Sequence, residues 1–130
     1  MTNHPSLKKQ TTLENILNEI VTQGGYEAAL LSDGDGLPIA MHVTSADIGE
    51  MTAAMSALLR DVARQVRSQL DLAYVNELSL VGDDRFRLVC RFFQTDRGQP
   101  ISLTVIVPPD QSYRRVTNLA IAKIKEAWIN

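Results

Sequence analysis

From Ala46 to Leu70 the chain runs without a proline, and Ile48, Met51, Met55, Leu58, Leu59, Val62, Val66 and Leu70 recur at three-and-four spacing. That spacing predicts one continuous amphipathic helix, with Thr44-Ser45 supplying the cap at its start. At 1.5 Å per residue such a helix is roughly 37 Å long. Five strands at about 4.8 Å spacing span only roughly 24 Å. A helix of that length overhangs the sheet it packs on, and the overhang invites contact with a second chain.

The flanking segments supply that sheet. Thr11 and Glu14 have the form of a capping box, and behind them Leu13, Ile16, Leu17, Ile20 and Val21 share one helical face up to Gly24-Gly25. Ala28 to Ser32 and Leu37 to Met41 flank Asp33-Gly34-Asp35-Gly36, which predicts a β-hairpin. Pro38 puts its strand at a sheet edge. After Tyr74 the period becomes two. Leu78 and Leu80 alternate with Glu77 and Ser79, Phe86 to Phe92 alternate with arginines, and Ile101 to Val107 complete a third strand. Apolar residues on both faces there predict a sheet covered on both sides. Pro108-Pro109-Asp110 ends the last strand, and Ser112 is the expected cap of a final helix rich in apolar positions up to Asn130. Residues 1–10 read as a polar, loose tail, and 11–130 as one α+β domain of order α-β-β-α-β-β-β-α.

The composition of the 130 residues, 45% hydrophobic and 22% charged, suffices for a core without disulfide or metal. A formal net charge of -2 gives no field that would draw the chain to nucleic acid or anionic lipid. The amino terminus lacks a signal-peptide pattern, and no apolar run approaches the roughly 20 residues of a membrane span. Together with a single cysteine, these features point to the cytoplasm. Cys90 sits in an apolar run and reads as a small buried hydrophobe.

Catalytic and cofactor motifs find little support. Asp33-Gly34-Asp35-Gly36 begins like a calcium loop, but Thr44 stands where the terminal bidentate Glu belongs. The third glycine of a dinucleotide fingerprint, the phosphate-binding GxxxxGK[ST] and the GxSxG elbow are all missing. His4 and His42 have no helical zinc partner. We therefore expect no cofactor, no metal and no catalytic residue. Arg60, Arg64 and Arg67 lie at three-and-four spacing on the long helix, either as a solvated face beside Asp61 or as a contact surface for an acidic partner. Met51 and Met55 are either core or part of an adaptable binding surface.

The order of elements, and above all the hairpin Ala28-Ala29-Leu30-Leu31-Ser32-Asp33-Gly34-Asp35-Gly36-Leu37-Pro38-Ile39-Ala40, resembles the roadblock (dynein light chain) family over nearly the whole chain from Thr11. The resemblance implies a five-stranded antiparallel sheet with the long helix on one face and two helices on the other. It also implies a homodimer made by pairing the third strand with its copy, with the two long helices side by side. Carried over, the pairing strand holds Val75, Leu78, Ser79 and Leu80, and the helix contributes Met51, Met55, Leu58, Leu59 and Val62. Prokaryotic members, including MglB-like proteins, act on small Ras-like GTPases, which makes a non-catalytic GTPase regulator the expected function and Arg60, Arg64 and Arg67 the expected contacts. The family has no fixed arginine motif, so no arginine finger is assigned. Two other functions fit the sequence less well: a structural adaptor, and a PAS- or GAF-like small-ligand sensor, for which no polar cluster is apparent in the sequence.

Overall fold

A computed structural model describes residues 6–129. The elements are α1 (Leu7–Gly24), β1 (Ala28–Asp33), β2 (Pro38–Val43), α2 (Ala46–Gln69), β3 (Glu77–Val81), β4 (Arg87–Gln94), β5 (Pro100–Val107) and α3 (Arg114–Ile129). The strands form one antiparallel sheet in the order β2-β1-β5-β4-β3. Both edges are thus strands near a chain reversal, and Pro38 opens the edge strand β2, where its missing N–H costs least.

The first helix departs from expectation. Ser6, not Thr11, is its N-cap, the hydroxyl accepting from the Lys9 amide at 3.3 Å. Thr11 instead donates its hydroxyl to the Leu7 carbonyl one turn back, and Glu14 accepts from the Gln10 side chain. Both partners of the expected capping box are engaged inside a helix that is already running. The expected tail therefore shortens: residues 7–10 are helical, and residues 1–5, His4 among them, lie outside the described residues. At the other end Gly25 adopts φ 65°, the left-handed conformation glycine takes without a Cβ penalty, and its N–H reaches the Val21 carbonyl. Ser112 does not cap α3; its carbonyl accepts from the Tyr26 hydroxyl at 3.1 Å.

The two faces of the sheet carry different cores. Leu13, Leu17 and Ile20 of α1, with Ala120 and Ile124 of α3, pack on Leu31, Leu103, Val105 and other large aliphatics of the sheet. The opposite face carries α2, whose buried residues Thr52, Ser56, Leu59 and Ala63 recur at helical spacing. This layer is tied by a polar contact, the Thr104 hydroxyl reaching Ser56 Oγ at 2.9 Å and the Cys90 sulfur at 3.3 Å. α2 packs mainly on β1, β2 and β5. β3 and the Leu88 end of β4 are left partly open on that side, while Cys90 of β4 is buried.

Candidate interaction surface

The long helix divides its expected interface residues between two directions. At 3.6 residues per turn, Met51, Met55, Leu58 and Val62 fall on one flank, about a quarter turn from the buried row. Met51 is 65% exposed, Leu58 55%, and Met55 and Val62 each 39%. Leu59, expected among them, belongs to the inner row and is only 6% exposed. It holds α2 to its own sheet and is unavailable to a partner.

The exposed flank faces β3. Leu78 pairs with Cys90 and Leu80 with Leu88, so both leucines point to the α2 side of the sheet, while Ser79, opposite Val89, points to the other. Leu80 is 55% exposed. Between the start of α2 and this part of the sheet runs a trough of about 280 Å³, whose apolar walls include Met51, Met55, Leu80, Leu88 and Ile106. Among the described residues β3 pairs only with β4, so its outer edge presents a row of backbone N–H and C=O groups. Val75, expected in this strand, precedes it; β3 begins at Glu77, and Val75 instead borders a cleft with Tyr74 and Phe92.

The three arginines leave α2 from the flank opposite the apolar stripe. Arg60 lies against the hairpin turn, its Nε within 3.4 Å of where a Gly36 side chain would begin. Arg64 pairs with Asp61 at 3.7 Å, both side chains largely in water, an arrangement of small energetic weight. Arg67 stands over the Tyr74 ring, 5.7 Å from its centre. Burial pushes the Tyr74 hydroxyl above its ordinary range, and the Arg67 charge pulls the other way.

One group was missed in the sequence. Glu77, the first residue of β3, accepts from the Tyr113 hydroxyl at 2.5 Å and pairs with Arg91 Nε at 3.5 Å. Arg91 in turn donates to Thr117 at 2.6 Å and Asn118 at 2.7 Å on α3. The hydrogen bond to Glu77, then burial, raises the Tyr113 pKa. This network pins the start of the edge strand to α3. Its only sequence signal is alternation, which sends Glu77 and Arg91 to one face of neighbouring strands.

Cys90 is buried, and its thiol is pushed up to about 11 by burial, partly offset by hydrogen bonding from Thr104. It is a thiol at neutral pH, a poor nucleophile. Among the described residues, no three His, Cys, Asp or Glu side chains gather in a group that could hold a metal. No helix there is long and apolar enough to cross a membrane.

A three-layer sandwich with one long helix alone on one face of a five-stranded antiparallel sheet defines the roadblock- and profilin-like class. The sequence model of the Roadblock/LC7 domain matches residues 12–94, more than half of the chain, and the protein belongs to that family. Among solved structures it is similar to a Roadblock/LC7 domain from Streptomyces avermitilis, at 17% identity and TM-score 0.70, covering 87% of this chain and 92% of that one. It is equally similar to the gliding protein MglB of Thermus thermophilus, at 16% identity and TM-score 0.70, with coverage of 96% and 91%. A more distant likeness, at 12% identity and TM-score 0.52 over 98% of each chain, is to LokiProfilin1 in complex with rabbit actin. No curated protein matches the sequence.

Proposed function

We propose that two copies of this chain associate through the β3 edge and the α2 stripe, and that the joined α2 helices bind a small Ras-like GTPase and modulate its nucleotide cycle. The observation that carries this reading is the exposed row Met51, Met55, Leu58 and Val62 beside an unpaired strand edge bearing Leu80. Large apolar side chains contiguous with a free edge are costly on an isolated monomer and mark an interaction site. The resemblance to MglB-like roadblock proteins supplies the GTPase. The role is that of a non-catalytic cytoplasmic regulator, which favours one conformation of the GTPase switch region by binding it more tightly than the other. Arg64, its side chain 65% exposed, is the contact we assign to the partner.

The test is size-exclusion chromatography of the protein with Ras-like GTPases from the same genome, each loaded with GDP or a non-hydrolysable GTP analogue. A nucleotide-dependent complex, weakened in Arg64→Glu, is expected, together with a changed hydrolysis rate. A complex with unchanged turnover would mark an adaptor, and the absence of any nucleotide-dependent complex would contradict the GTPase assignment.

A further inference from the structure

The C-terminal half of α2, from Arg60 to Arg67, stands over one end of the sheet with an open cleft beneath it. After Gln69 the chain turns back through residues 70–76, and the Asn76 carbonyl accepts from the Phe92 amide at 2.9 Å, tying the returning segment to β4. Helix, returning segment and sheet end together form a cleft of about 250 Å³. Its apolar lining includes Ala63, Val75 and Phe92, and its basic side is Arg60, Arg64 and Arg67.

We infer that this cleft binds a small organic anion, a carboxylate or phosphate head carried on an apolar body. Arg60 and Arg67 take part in no ion pair among the described residues. The Arg60 Nε is buried with no hydrogen-bond partner in the protein. Arg60 and Arg67 line the cleft with guanidinium groups engaged by no carboxylate among the described residues, and arginine forks match carboxylate and phosphate oxygens. Ser102, also in the lining, has a buried hydroxyl beside the Cys90 thiol, whose pKa it helps to lower. Asp33 borders the cleft and opposes an anion, but one carboxylate oxygen is held by the amides of Asp35 and Leu37, at 2.9 and 3.0 Å, in closing the hairpin turn. With Arg64 paired to Asp61, the guanidinium groups of Arg60 and Arg67 against the one engaged carboxylate of Asp33 leave the cleft positive.

The apolar lining selects an organic anion over a bare inorganic one. The volume, below the roughly 300–1,000 Å³ of drug-sized sites, sets a small ligand. The cleft opens on the flank of α2 away from the apolar stripe, so the site does not rest on the proposed dimer.

The test is a ¹H–¹⁵N NMR titration of the full chain with phenyl phosphate, benzoate and, as the neutral probe, benzyl alcohol. The anions are expected to give saturable shifts at the Ser102 amide and the Arg60 Nε–H group, with benzyl alcohol at least about tenfold weaker. The tighter of the two anions identifies the head group. Arg60→Gln and Arg67→Gln should each weaken anion binding about tenfold or more, while Arg115→Gln on α3 and Leu80→Arg leave it unchanged. Should Arg60→Gln fail to fold, Arg67→Gln, at an exposed position, carries the comparison. Absence of saturable shifts with both anions, equal affinity for benzyl alcohol, or unchanged binding in a folded arginine variant would overturn the assignment.

Discussion

The two faces of the sheet are built for different ends. Under α1 and α3 lie Leu13, Leu17, Leu31, Leu103, Val105 and Ile124, all fully buried, and two helices seal them. Under α2 lie Thr52, Ser56, Thr104 and Cys90, small and partly polar, and a single helix covers only part of the sheet. The first face holds the stability that burying large aliphatic side chains provides, roughly 1.5–3 kcal/mol each. The second trades burial for access. Its uncovered part is where the apolar stripe meets the free strand edge, and the C-terminal half of its helix roofs the basic cleft.

The comparison can be broken most severely at Leu17. Truncation to alanine should cost about 2–5 kcal/mol, the range for a large buried aliphatic in a packed core, read as a lowered urea midpoint. Next is an alkaline transition that belongs to the other face. Burial raises the folded pKa of Cys90 to about 11. Below about pH 7.5 both folded and unfolded thiols are protonated, and stability is flat. Above it the unfolded chain loses its proton first, so stability falls by up to ~1.4 kcal/mol per pH unit until the folded thiol also ionises. Tyr26 and Tyr113, likewise raised, steepen the fall. Urea melts across this range should show a shallower decline in Cys90→Ala; an identical decline would remove Cys90 from the account.

Thr104→Val probes the polar tie between α2 and the sheet. It leaves the Ser56 hydroxyl without the Thr104 partner and should cost about 1 kcal/mol, within the range for a lost buried hydrogen bond. The smallest effect is expected from Leu58→Ala in a Leu80→Arg background. With association suppressed, an exposed position should change stability by no more than ~0.5 kcal/mol. A larger loss would mean that the stripe packs within the monomer.

The sequence showed most of the scaffold and half of the surface. α2 was legible because its pattern persists over many turns, and the hairpin because its turn chemistry is local. The start of α1 was not, because Ser6 and Thr11 both offer cap chemistry and only the helical placement of the Thr11 hydroxyl on Leu7 decides between them. Leu58 and Leu59 differ by one residue and so by about 100° around the helix, which sends one to solvent and the other to the sheet. Val75 misled because alternation carries no mark of where a strand begins. The arginine row was visible, but its convergence on Tyr74 and Phe92 was not, since those residues come from a return segment and a distant strand.

The central claim is that the half-covered face is completed by a second copy of the chain. Light-scattering mass in solution tests it most directly, on wild type and Leu80→Arg, with circular dichroism confirming that both are folded. The account predicts twice the chain mass for wild type and a folded monomer for the variant. A wild type that stays monomeric across a wide concentration range, or a Leu80→Arg protein that remains dimeric, would contradict it.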